Sequence, residues 1–78
     1  MAPTLADLPL GQSAVLADLD LGPDDAARLM ELGFLPGARV LAVRAAPGGD
    51  PRVFRVDGAE VALRRETARH LVLRTAPA

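Results

Sequence analysis

The apolar positions of the chain fall into short runs broken by glycine and proline, and only one run keeps helical spacing. Thr4 to Gly11 reads as a turn-like lead-in, with Pro9 and Gly11 opening the first strand. Ser13 to Leu19 is short and apolar, bounded by Gly11 and by the Gly22-Pro23 break, which predicts a strand rather than a helix. Gly22-Pro23-Asp24-Asp25 then opens a helix. Proline suits the first turn because its missing N–H has no helical partner there, and the two aspartates sit where free amides and the positive dipole end favour carboxylates. Ala26, Leu29 and Met30 follow at i, i+3, i+4 and predict one buried stripe, with Arg28 and Glu31 facing out. Gly33 ends the helix, and Pro36 forbids its resumption.

Beyond the Pro36-Gly37 turn the pattern changes to strands. Ala38 to Ala45 is nearly continuous apolar apart from Arg39 and Arg44, which predicts a strand covered on both faces. Ala46 to Pro51 is expected to be a loop, neither helix nor strand, with Pro47, Asp50 and Pro51 as its turn residues. Arg52, Phe54 and Val56 alternate against Val53 and Arg55. Asp57-Gly58 is a hairpin signal, two residues able to take positive φ between strand-like runs, and Ala59 to Leu63 returns from it. Arg64 to Arg69 can form a helical turn, and His70 to Arg74 a short last strand. The expected class is mainly β: a small five-stranded closed barrel with one α-helix inserted after the first strand and a helical turn before the last. Closure is expected because an open sheet would leave two sticky edges.

Length and composition narrow the function. The 78 residues allow one domain, 1–78, with residues 1–3 and 75–78 expected to fray. The absence of cysteine removes disulfides, thiolate metal sites and cysteine nucleophiles. No basic segment followed by an apolar one opens the chain, and no apolar run spans a bilayer, so a cytoplasmic module is expected. Net charge is −1 but uneven. Residues 1–38 set six carboxylates against Arg28 alone, a balance of −5, whereas residues 39–78 set eight arginines against four carboxylates, a balance of +4. Nucleic acid is not expected as a partner, because the net charge is negative and only two aromatic residues, both Phe, are available for stacking.

The run Arg28-Leu29-Met30-Glu31-Leu32-Gly33-Phe34-Leu35-Pro36-Gly37 resembles the core motif of the FeoA family, the small cytoplasmic component of bacterial ferrous-iron transport. Three further elements fall in register. They are Val40 to Pro47, the Gly48-Gly49-Asp50-Pro51 loop (with Gly where the family often has Leu), and Val61-Ala62-Leu63-Arg64 followed by Glu66 and Ala68. The resemblance covers about Leu5 to Leu73 and implies an SH3-like barrel with the helix between the first two strands. It implies a non-enzymatic accessory or regulatory module that binds the cytoplasmic part of the FeoB-type ferrous-iron permease, reaching the membrane only through that partner. It also implies a domain associated with transition metals. The alternatives are a metal-responsive dimerising regulator domain and a small nucleic-acid-binding barrel.

The residues present offer little for metal or catalysis. His70 is the single histidine, with Glu66 four residues earlier, so the two are the weak metal candidates. No metal site is expected and no cofactor is required; Fe²⁺ or another divalent transition metal would need ligands from a second molecule. The aspartates at 18, 20, 24 and 25 lack the spacing of a calcium loop, and one Ser with one His makes no triad. Partner binding is expected at the helix end and nearby arginines: Arg28, Leu29, Met30, Phe34, Leu35, Pro36 and Arg44. Phe34 and Leu35 either plug the barrel or form an exposed ledge. Gly33, Gly37, Asp57 and Gly58 are expected to serve turns. Weak self-association is compatible with so small a core.

Overall fold

The computed structural model describes residues 3–74. Strand β1 (Ser13–Leu19) leads into helix α1 (Pro23–Glu31). Strands β2 (Arg39–Ala45), β3 (Arg52–Val56) and β4 (Ala59–Leu63) follow, then the one-turn helix α2 (Arg65–Ala68) and β5 (Leu71–Leu73). The lead-in carries a 3-10 turn over Leu5–Asp7. The expected loop between β2 and β3 closes as a tight, non-helical turn over Pro47–Gly49. Pro47 presets the first φ, Gly49 N–H donates to Ala46 O at 2.8 Å, and Gly48 absorbs a φ of 86°.

All strand pairs are antiparallel, in the order β4-β3-β2-β1-β5. The expected closure does not occur, since β4 and β5 are not paired with each other. The chain passes from β4 to β5 through α2, and the three-residue β5 finds its second neighbour elsewhere. Leu73 N–H donates to Pro3 O at 2.8 Å, and Thr4 bridges Val72. Pro3, expected to fray, is therefore held against β5; residues 1–2 and 75–78 lie outside the described residues. Register shifts between Leu16 and Asp18 and between Ala42 and Arg44 bend the sheet.

One face of the bent sheet holds the core. Leu5, Leu16, Phe34, Val40, Phe54 and Leu71 are fully buried there. The period-two reading of β3 is met: Arg52, Phe54 and Val56 all face inward. Arg52 tolerates this because its Nη1 donates to Leu5 O and Ala6 O at 3.3 and 3.1 Å, and its guanidinium lies 5.9 Å from the Phe54 ring centroid. The same bonds pin the lead-in across the core.

Helix α1 contributes less to the core than its stripe implied. Leu29 is buried and Ala26 half-buried, but Met30 is exposed. A nine-residue helix turns a narrow line of side chains inward, and Phe34 occupies the core just beyond it. Gly33, at φ 109°, donates to Met30 O, and Phe34 N–H donates to Leu29 O at 3.1 Å. This is a Schellman closure, sealed by the apolar pair Leu29 and Phe34. A Cβ on Gly33 would stand 3.2 Å from the Asp57 Cβ, so only glycine suits both the conformation and the space.

Candidate interaction surfaces

The seven residues expected to meet a partner separate into three groups. Leu29 and Phe34 are core and cannot meet a partner in the folded chain, which corrects the expectation for both. Phe34 is the plug; its neighbour Leu35 is the ledge, at 48% exposure. Met30 at 38%, Leu32 at 44% and Pro36 are exposed on the same short stretch. The closure that buries Phe34 sets Leu35 outward, with Leu35 N–H donating to Gly33 O and Ala38 N–H to Leu35 O, both at 2.9 Å. The ledge is therefore built on bonded backbone.

Arg28 lines a shallow cleft between α1 and α2, with Leu21, Asp25, Leu29, Leu63 and Thr67, of about 220 Å³. It mixes one cation, one carboxylate, a hydroxyl and a leucine floor.

Arg44 belongs to a different cluster. Its Nη2 donates to Glu60 Oε1 at 2.8 Å, and Arg55 Nη2 donates to Glu60 Oε2 at 2.8 Å, so one carboxylate on β4 bridges arginines from β2 and β3. The hydrogen bond from Arg55, then that from Arg44, holds the Glu60 carboxyl below its ordinary value of 4.5. Glu60 and Arg55 were not singled out from sequence. The signal was present in the Asp57-Gly58 turn, which sets Arg55 opposite Glu60 in the register.

Asp57 and Gly58 have φ of 51° and 79°, and Gly37, at φ 93°, donates its N–H to Leu16 O at 2.7 Å. Asp50 does more than turn: its Oδ1 accepts the Arg65 N–H at 3.0 Å at the start of α2, tying the Pro47–Pro51 loop to that helix. Glu66 is exposed and His70 half-buried, and no group of three or more candidate ligands converges among the described residues. No helix among them is long and apolar enough to cross a membrane.

The FeoA domain model matches residues 4–75, nearly the whole chain. The chain belongs to the FeoA family. An FeoA protein from Chlorobium tepidum superposes with a TM-score of 0.86 at 31% identity, covering 91% of this chain and 68% of that one. Stenotrophomonas maltophilia FeoA, an SH3 domain protein solved with zinc, gives a TM-score of 0.80 at 42% identity over 94% of this chain and 91% of that one. Iron(II) transport protein A from Clostridium thermocellum gives 0.85 at 28% identity, covering 91% of this chain and 44% of that longer one. Among curated proteins none matches this chain. The FeoA fold here is SH3-like with an open sheet, and the family is one of ferrous-iron transport rather than of enzymes.

Proposed function

We propose that this FeoA chain is a non-enzymatic accessory or regulatory module of bacterial ferrous-iron uptake that acts in the cytoplasm by binding the cytoplasmic part of a FeoB-type permease. The observation that supports docking is the ledge. Three of the four large hydrophobic side chains exposed among the described residues, Met30, Leu32 and Leu35, lie within six consecutive positions. Single exposed leucines are ordinary, but three large apolar side chains exposed along one short bonded stretch suit a protein interface. Pro36 and Arg28 border it in sequence, and the residues present offer no catalytic set.

The test is calorimetric titration of the chain with the cytoplasmic domain of a FeoB-type permease from the same organism. Leu35→Asp should weaken binding by about tenfold or more and leave the melting temperature unchanged, because the side chain lies outside the core. No binding by the unaltered chain, or a melting temperature that falls with the substitution, removes the proposal. The module needs no cofactor in this scheme. Micromolar Fe²⁺ or Zn²⁺ binding that disappears in His70→Ala would instead make Glu66 and His70 part of a metal site completed by a second molecule.

A further inference from the structure

The free edge of β4 is the least explained surface of the fold. The Asp57-Gly58 link has two residues, both at positive φ, so the flanking Val56 and Ala59 exchange main-chain hydrogen bonds and the pairs alternate from there. In that alternation Ala59, Val61 and Leu63 turn their N–H and C=O groups to β3. Those of Glu60 and Ala62 turn away from the sheet, and nothing among the described residues bonds them. Two donors and two acceptors, two residues apart, therefore face solvent in the spacing of an unpaired ladder. The guards that normally protect an edge are missing, since β4 has no proline, lysine or bulge. Its one charge, Glu60, is already held by Arg44 and Arg55.

We propose that the β4 edge receives an extended segment of a partner protein as an additional strand, and that this segment alternates acidic and apolar residues. Main-chain pairing supplies the attachment, as in other cases of strand addition. The charge preference comes from the side chains beside it. Glu60 and Ala62 project on the face that carries Arg44 and Arg55, whose pairing with one carboxylate leaves a net positive cluster. Arg64, exposed and still extended at φ −70° and ψ 151°, comes next in that alternation. Carboxylates on the incoming strand opposite Ala62 and Arg64 meet this positive face, while the intervening side chain, opposite Leu63, lies on the other face diagonal to half-buried Val61. A second copy of the chain is the poorer occupant. Pairing β4 with itself would bring the Arg44, Arg55 and Arg64 side chains of both copies to one junction, with only the two Glu60 carboxylates to offset them.

The probe is a short synthetic peptide alternating Glu with Val and Thr, titrated into the ¹⁵N-labelled full chain and followed by amide shifts and hydrogen exchange. The Glu60 and Ala62 amides should shift and gain protection. A peptide with Lys in place of Glu should bind at least several-fold more weakly, and one N-methylated at alternate amides roughly tenfold more weakly. Ala62→Pro should remove binding, and Arg64→Glu, at an exposed position, should weaken it without changing the melting temperature. Equal binding of the N-methylated peptide, unmoved amides over residues 59–63, or protection that rises with protein concentration in the absence of peptide would each overturn the proposal. It is separable from the ledge: if the permease domain binds and is sensitive to Leu35→Asp while β4 stays silent, the edge proposal falls and the docking proposal stands.

Discussion

The two edges of the sheet meet the same problem in opposite ways. The β5 edge is covered by the chain's own lead-in. Pro3 and Thr4 pair with Leu73 and Val72, Leu5 is buried beneath them, and the Arg52 guanidinium grips the carbonyls of Leu5 and Ala6. The β4 edge has no cover from the described residues, only an ion-pair cluster on one face. The contrast teaches that this small core invests its buried contacts in the edge whose strand is too short to hold alone. The longer hairpin edge stands by its own register.

That contrast can be broken most forcefully at Leu5. Leu5→Ala should cost about 3 kcal/mol, a large share of the stability of so small a domain. Thermal denaturation should show it, with loss of hydrogen-exchange protection at Leu73. Arg52→Met keeps the apolar stem but leaves two carbonyls without their charged donor, and should cost about 2 kcal/mol in denaturant unfolding, again loosening β5 before β4.

Smaller effects sharpen the same comparison. The Asp7 carboxylate accepts from the Thr4 N–H at 3.0 Å and the Thr4 hydroxyl at 3.2 Å, shaping the turn that covers β5. Asp7→Ala should therefore cost about 0.5 kcal/mol, read as a slight fall in melting temperature. On the open edge, Glu60→Gln should do least. Because the folded carboxyl titrates below 4.5, the ionised form favours the fold. The difference between the original chain and the variant should be full above pH 4.5 and vanish as the pH falls through the lowered value. Added salt should shrink it as well. A difference that grows on acidification would mean that the Arg44–Glu60–Arg55 cluster does not form in solution.

Local chemistry made much of the architecture legible. The Gly22-Pro23-Asp24-Asp25 start, the Gly33 stop and the Asp57-Gly58 hairpin each depend on the conformational limits of a few residues, and α1, β3 and β4 stand where those signals put them. The fate of the site residues was less accessible. Phe34 and Leu35 are adjacent, similarly apolar and past the same helix end, yet one is fully buried and the other nearly half exposed. Only the Schellman closure, which aims one inward and the next outward, separates them.

What the amino-acid order determined alone was the order of strands and helices and the inward face of β3, because turn chemistry and side-chain alternation act within a few residues, and, through its motifs, membership of the FeoA family. Which edge would be covered, that β4 and β5 would stay apart, and that Glu60 would join Arg44 to Arg55 were decided by tertiary structure. Those outcomes depend on contacts such as Arg52 with Leu5 and Arg44 with Glu60, between residues far apart along the chain. They exist only once the bent sheet has brought those residues together.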